Sequence, residues 1–451
     1  MTAFLALIFL LLVSFTGSLM ESASLQSAKS YRRADVNRAI ESVFAEYQKE
    51  LLEEFDIFAL DGSYETGTYG EQKVLDRMAY YGASGIDSRI ERIQLLCDDG
   101  GAAFLDQAAR CMESRYGISG LGGLGDGLEL WEGKEEEAMQ YQETGQQLSE
   151  QLSGMLSESG TELPAENNPL PNMQGLASAP LAELVMPKEK ALSEKSVDAD
   201  SLVSRRNRNR GYGDFSDVAE TKEPSKILFG EYILEHFETA VREEDEIMAG
   251  PLDYEAEYIL MGKDSDRENL EGVLKRLLLL RFAPNYAYLR QDGAKQAEAQ
   301  ALALVLSTAA AAPEAADALA QVLLVVWAFG ESIMDLRSLM QGGRVPLTKS
   351  AESWQLSLSG LMTLGTEEDR KEGADIDGGL KYREYLRVLF FLDGKQEMAM
   401  RTLDMIELCL RQEKGLGWFR ADQCISRMEI SSTVNLRRGI TYRFQTYYGY
   451  R

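Results

Sequence analysis

Apolar residues are distributed along this chain in patterns that change character several times. The first is a block. Thr2 to Met20, TAFLALIFLLLVSFTGSLM, contains no charged residue. Nineteen residues at 1.5 Å rise span about 28 Å, close to the ~30 Å hydrocarbon core of a bilayer. A membrane helix is predicted there, with Phe4, Leu5, Leu7, Ile8, Phe9, Leu10, Leu11, Leu12, Val13 and Phe15 as its lipid-facing anchor. Nothing basic precedes the run, and it is longer than the ~7–15 apolar residues of a cleaved signal peptide, so a retained anchor is expected. The second pattern is a stripe. Val36, Ile40, Val43, Phe44, Tyr47, Leu51 and Phe55 recur at helical spacing, and no proline or glycine occurs from Ser22 to Phe55. This predicts one helix of more than fifty residues, its first third in lipid and the rest packed on its own domain.

The punctuation that follows divides the chain into four: a transmembrane and stalk helix (1–60), a small membrane-proximal extracytoplasmic region (61–134), a flexible linker (135–225) and a mainly helical C-terminal domain (226–451). DGSYETGTYG (Asp61–Gly70) is a turn-rich break, and Ile90, Ile93 and Leu96 beyond it have short helical spacing. Gly117–Leu128 reads as a flexible loop, since it lacks the G-K-[ST] ending that sets a lysine on phosphates. From Glu135 to Ser225 the chain is rich in Ser, Glu, Gln and Asn and holds six of its ten prolines, a linker composition. The remainder carries helical patterns over Ile227–Val241, from Ser265, over Ala294–Ala312, over Leu319–Leu339 and over Tyr385–Leu410. S-D-R-E at Ser265 is a capping box, and Pro313 stands where a helix begins. QVLLVVWAF is too short an apolar run to cross a membrane, which makes it a buried core helix. ISSTVNL and ITYRFQTYYGY flank Arg437-Arg438-Gly439, a terminal β-hairpin. The fold class expected is therefore mainly α (α+β): a long N-terminal helix, a helical C-terminal domain and a small terminal hairpin.

Charge and chemistry narrow the function. The formal charge of −26 argues against nucleic acid, whose binding depends on lysine and arginine at phosphates. Arg205, Arg206, Arg208 and Arg210 form a basic patch, read as a solvated, protease-sensitive stretch. Four further basic residues, Lys29, Arg32, Arg33 and Arg38, follow the apolar span. By the positive-inside rule they would place the domain in the cytoplasm; the first of the arginines stands beyond a turn or two of polar helix, and the domain is expected outside. The single histidine, His236, lies in a helical pattern with no nucleophile motif elsewhere, so a plain helix-face role is expected. Asp264-Ser265-Asp266 lacks the glycine and distal glutamate of a calcium loop and reads as a helix start; Asp375-Ile376-Asp377 reads as a turn. Trp327 and Trp354 read as core. Among 73 acidic residues nothing singles out a catalytic pair. Catalytic, cofactor and metal sites are thus expected to be absent. Cys97, Cys111, Cys409 and Cys424 form no C-x-x-C; they are either buried thiols or, outside the membrane, two disulfides, Cys97 with Cys111 and Cys409 with Cys424.

Several stretches resemble a bacterial family. TAFLALIFLLLVSF, the ALDGSY turn after AIESVFAEYQKELLEEFDIF, DYEAEYILMGKDSDRENLEGVLKRLLLLRFAPNYAYL, WAFGESIMDLRSLMQGGRVPLTKSAESWQLSL, RTLDMIELCLR and FRADQCISRMEISSTV are similar to domain-of-unknown-function family 5702. The resemblance implies a Gram-positive membrane protein from the setting of tight-adherence (Tad-type) pilus genes, with no activity attached. Pilins usually carry a glutamate near the start of the apolar helix; here the first acid is Glu21, after it. The function expected is a membrane-anchored extracytoplasmic structural or accessory protein of a Tad-type surface apparatus. Its partners would be the lipid bilayer and other pilus or envelope proteins, with neither nucleic acid nor a small-molecule substrate. The alternatives are an envelope scaffold that docks other proteins and, more remotely, a cell-wall hydrolase.

Overall fold

The uncharged block and the first part of the stripe fold as one continuous helix, α1 (Thr2–Phe44), about 65 Å long. In this computed structural model, which describes residues 1–120, 131, 133–215, 226–242 and 250–450, every residue from Met1 to Met20 is exposed. Cover begins at Glu21 and continues on one face through Leu25, Ala28 and Lys29, all half-buried. It becomes complete at Val36, Ala39, Ile40, Val43 and Phe44. The helix does not run past fifty residues. It ends at Ala45, and the stripe resumes in α2 (Lys49–Phe55). Gln48 turns its N–H to Ala59 O (2.8 Å) instead of continuing the helix ladder, and Tyr47 packs edge-on against Phe58. That break leaves Leu51 and Phe55 buried, and neither proline nor glycine marks it in the sequence.

The chain forms two compact units, each assembled from separated stretches. One comprises Met1–Cys111, Asp200–Pro224 and Thr402–Arg451; the other comprises Met112–Ala199 and Ser225–Arg401. In the first unit, α3 (Glu71–Met78) and α4 (Ala102–Gly120, which continues into the second) accompany a four-stranded antiparallel sheet: β1 (Leu60–Asp61), β2 (Asp87–Leu95), β3 (Cys424–Asn435) and β4 (Thr441–Gly449). Strand β3 is central. It pairs with β2 along one edge, and with β4 and the short β1 along the other. The terminal hairpin stands as expected, with Arg437–Gly439 at its turn. Ile90 and Ile93 lie on β2 and not on a helix. A register shift between Ile90 and Arg92 sets Ile90 opposite Ile430 and Ile93 opposite Met428, two positions on one face of β3. The bulge therefore gives a strand the three-residue spacing that reads as a helix.

The second unit is helical. Its elements are α5 (Lys134–Ser159), α6 (Leu170–Ala177), α7 (Leu181–Val185), α8 (Lys226–His236), α9 (Glu255–Met261), α10 (Asp266–Leu289), α11 (Gly293–Ala309), α12 (Ala316–Met340), α13 (Tyr382–Leu392) and the first turns of α14 (Lys395–Gln412). Ser265 caps α10 by accepting from Glu268 N (3.3 Å). Helix α12 is mostly buried, a core helix as expected. The expected Tyr385–Leu410 helix is two helices, interrupted at Asp393-Gly394, where Asp393 pairs with Arg276 (2.8 Å). The expected linker also differs. Residues 134–159 are helical, and Ala138, Leu152, Met173, Leu176, Leu181 and Val185 are buried. Sparse apolar positions in a Ser- and Glu-rich sequence were enough to dock α5, and Gly145 lets it come close: a Cβ there would meet Val325 Cγ1 at 2.8 Å. The glycine-rich run of residues 117–128 lies largely outside the described residues.

Candidate functional site

Three places concentrate polar or apolar features that core packing alone does not require. The first is the anchor. All ten predicted lipid-facing side chains, Phe4 to Phe15, are exposed, between 41% (Ile8) and 71% (Leu10). Burying even one large apolar side chain is worth about 1.5–3 kcal/mol. Nineteen apolar or uncharged residues left uncovered on every side are explained by lipid as their solvent.

The second is a cluster of four fully buried charges in the helical unit. Arg281 on α10 donates from Nε to Asp335 Oδ2 (3.0 Å) and from Nη1 to both Tyr385 Oη (3.0 Å) and Leu347 O (3.2 Å). Lys349 Nζ donates to Glu331 Oε1 (2.5 Å), Asp335 Oδ1 (2.7 Å) and Ser353 O (3.0 Å). Glu331 also accepts from the backbone N–H groups of Gln355 and Leu356. Burial raises the Glu331 carboxyl against the pull of Lys349, whereas Arg281 and Lys349 hold Asp335 below the usual range despite its burial. Two cations face two anions. The cluster ties the 347–356 segment to α10 and α12; it carries no free nucleophile. Glu331 and Asp335 stand four apart in an apolar helix, and that spacing is the signal by which the sequence could have revealed them.

The third is the strap formed by residues 206–215 in the sheet-bearing unit. Arg206, read from sequence as solvated, has only 10% of its side chain exposed. Its guanidinium bonds both oxygens of Glu407 (2.6 and 2.9 Å) and pairs with Asp422. Asn209 donates twice to Asp422 Oδ2, and Tyr212 exchanges both backbone hydrogen bonds with Ile93 on the edge of β2. Gly211 is required by this approach, since a Cβ would fall 2.1 Å from Ile93 O. A cavity of ≈450 Å³ opens beside the strap. Its lining includes Arg208 and Arg210 as well as Asp98, Asp99 and Asp214, so both signs of charge are present. Asp98 accepts from Leu95 N and Gly211 N and serves the strap.

The remaining sequence-predicted positions are structural. His236 ends α8 with Nδ1 on Tyr232 O (2.9 Å) and its ring against Tyr232. Asp266 accepts from Ser193 Oγ, Asp253 N and Tyr254 N, as a helix start. Arg344 grips Asp375 through two nitrogens and reaches Asp377 (2.5 Å), which makes that acidic pair a turn. Trp327 is fully buried, and both it and Trp354 donate to Leu356 O. None of the four cysteines is in a disulfide, so neither the Cys97–Cys111 nor the Cys409–Cys424 bridge is made. Burial pushes the Cys97 thiol up to about 12.

An uncovered N-terminal helix of membrane-spanning length, joined to a large and mainly helical remainder, defines a single-pass membrane-anchored protein. Residues 159–436 match the family of unknown function DUF5702, which spans more than half of the chain, and the protein belongs to that family. No curated protein and no solved structure matches the chain.

Proposed function

We propose that this protein is a structural or accessory subunit of the bacterial envelope, anchored by α1, with its large domain outside the cytoplasm and its place in a Tad-type pilus or surface apparatus. It performs no catalysis in this reading. The observation that carries the proposal is the uncovered apolar helix Thr2–Met20 in front of an acidic domain. The buried charges support it: Arg281, Asp335, Lys349 and Glu331 satisfy one another, the arrangement of a scaffold that must hold its shape.

The test has two stages. Intact, wall-stripped cells are treated with an impermeant amine-reactive label, for which Lys275, with its side chain 65% exposed, is a ready target. Label acquired before lysis supports the outward domain; label acquired only after lysis overturns it. Sheared surface filaments are then examined for the chain. Recovery there supports a pilus subunit. Recovery only in membranes, in stoichiometric complex with other envelope proteins, replaces the pilus placement with a docking scaffold.

A further inference from the structure

The cover on α1 begins at Glu21, one residue after the apolar run ends, and the tip of the β3–β4 hairpin reaches that boundary. Arg438 forms an ion pair with Glu21. Further along, Lys29 Nζ lies 5.3 Å from the centre of the Tyr442 ring. The hairpin thus runs along α1 and stops at the edge of the naked span. Its tip is exposed throughout: Arg437, Arg438, Gly439, Ile440 and Thr441. Arg438 and Gly439 both adopt left-handed backbone (φ 60° and 72°), which makes the turn tight and keeps both arginines at its end. Ile440 adds a large apolar side chain, 37% exposed, where a solvated turn would ordinarily carry a polar one.

We propose that this tip, Arg437 to Ile440, sits in the head-group layer of the membrane that α1 crosses and binds anionic lipid head groups. The inference rests on the membrane-anchored reading of α1. Distances decide which basic residues take part. The head-group region adds about 5–8 Å on each side of the ~30 Å core. Glu21 stands at the edge of that core, so an arginine bonded to its carboxylate is within the layer. Lys29, eight residues on, is about 12 Å further along the axis, and Arg32 and Arg33 are about 17 Å along it. Both distances exceed the ~8 Å screening length of physiological salt. Lys29 reaches back only along its flexible stem, and Arg32 and Arg33 contribute little. The two arginines of the tip are therefore the dominant contact. Arg438 also compensates Glu21, whose carboxylate would otherwise face lipid without a partner charge.

The full chain is reconstituted into vesicles of phosphatidylcholine alone or with one-third phosphatidylglycerol. Position 440 carries an environment-sensitive fluorophore on Ile440→Cys in a Cys111→Ser background, and a spin-labelled head group serves as quencher. Flotation with the vesicles reports the anchor independently of the tip. Quenching that is stronger in the anionic vesicles, and that weakens roughly ten-fold in the tip–surface equilibrium for Arg437→Gln/Arg438→Gln, supports the proposal. Raising salt to 1 M on the unsubstituted tip gives the same loss without altering the fold. A chain that floats but shows no quenching, or equal quenching in neutral vesicles, or quenching indifferent to both the substitutions and salt, overturns the proposal and leaves the anchor standing. A chain that does not float overturns the anchor reading itself, and the proposal with it.

Discussion

Glu257, on α9, is fully buried and uses its two carboxyl oxygens unequally. Oε1 accepts from Tyr382 Oη (2.7 Å) and Ala240 N (3.0 Å); Oε2 has no hydrogen-bond partner among the described residues. Burial dominates these bonds and raises the carboxyl from 4.5 to about 7. Between those values the folded protein keeps a proton that the unfolded chain has lost. Stability therefore falls as pH rises from about 4.5 to about 7 and stays at the lower level above. Glu257→Gln preserves the acceptor for Tyr382 and Ala240 and removes the titration. Thermal unfolding in detergent should show the variant near wild type at pH 5 and more stable than wild type at pH 8. A wild-type decline that persists unchanged in the variant would assign the slope to other groups. Nothing in EAEYILM announces this residue, because a glutamate on a short helix is ordinarily solvated. Ser265 is the opposite case: its cap depends on a side chain and a backbone N–H three residues away, and the sequence states both.

At the scale of elements, patterns with a strong local cause were legible and those with a distant partner were not. The α1 span, the Ser265 start and the terminal hairpin depend on residues within a few positions of one another. The Asp393-Gly394 interruption also has a local signal, since glycine after aspartate disfavours continuing a helix, but the apolar spacing on either side outweighs it and predicts one Tyr385–Leu410 helix. The strand nature of Ile90 and Ile93 was not legible, because a bulge set by β3, more than 300 residues away in the chain, determines which side chains share a face. The strap is the clearest case. Four arginines in six residues read as solvent-exposed, yet Arg206 finds Glu407 and Asp422, two acids from a remote stretch that are themselves buried. Arg206→Ala removes that cation from Asp422 and leaves Glu407 with Arg411 (3.5 Å). Removing one partner of a buried ion pair typically costs about 3–5 kcal/mol. The expected outcome is a lowered unfolding midpoint together with faster tryptic cleavage at Arg208 and Arg210; cleavage at the wild-type rate would mean that the strap is held by its backbone bonds to β2 alone.

At the scale of the whole molecule, two helices among the described residues have the length and hydropathy to cross a bilayer, and their surroundings separate them. The window in α1 is entirely uncovered, whereas 78% of the window in Pro313–Met340 is buried. Charge placed in each should act differently. An arginine at the centre of a membrane helix costs about 2.5–3.5 kcal/mol on the insertion scale. Leu10→Arg/Val13→Arg should shift the chain from the membrane fraction to the soluble fraction without lowering the unfolding midpoint of the domain. Leu323→Arg, in the core of α12, should lower that midpoint and leave the membrane fraction unchanged. Equal membrane retention of the Leu10/Val13 variant would remove α1 as the anchor.

The sequence by itself determined the anchor, the mainly helical class, the terminal hairpin and most helix starts of the C-terminal region, since each follows from composition or from spacing within a turn or two. Only the tertiary structure decided which charges are buried, that residues 134–159 are a docked helix and that the chain folds as two interleaved units. Burial and pairing are properties of residues brought together from distant positions, and no local pattern of one chain records what its side chains will meet.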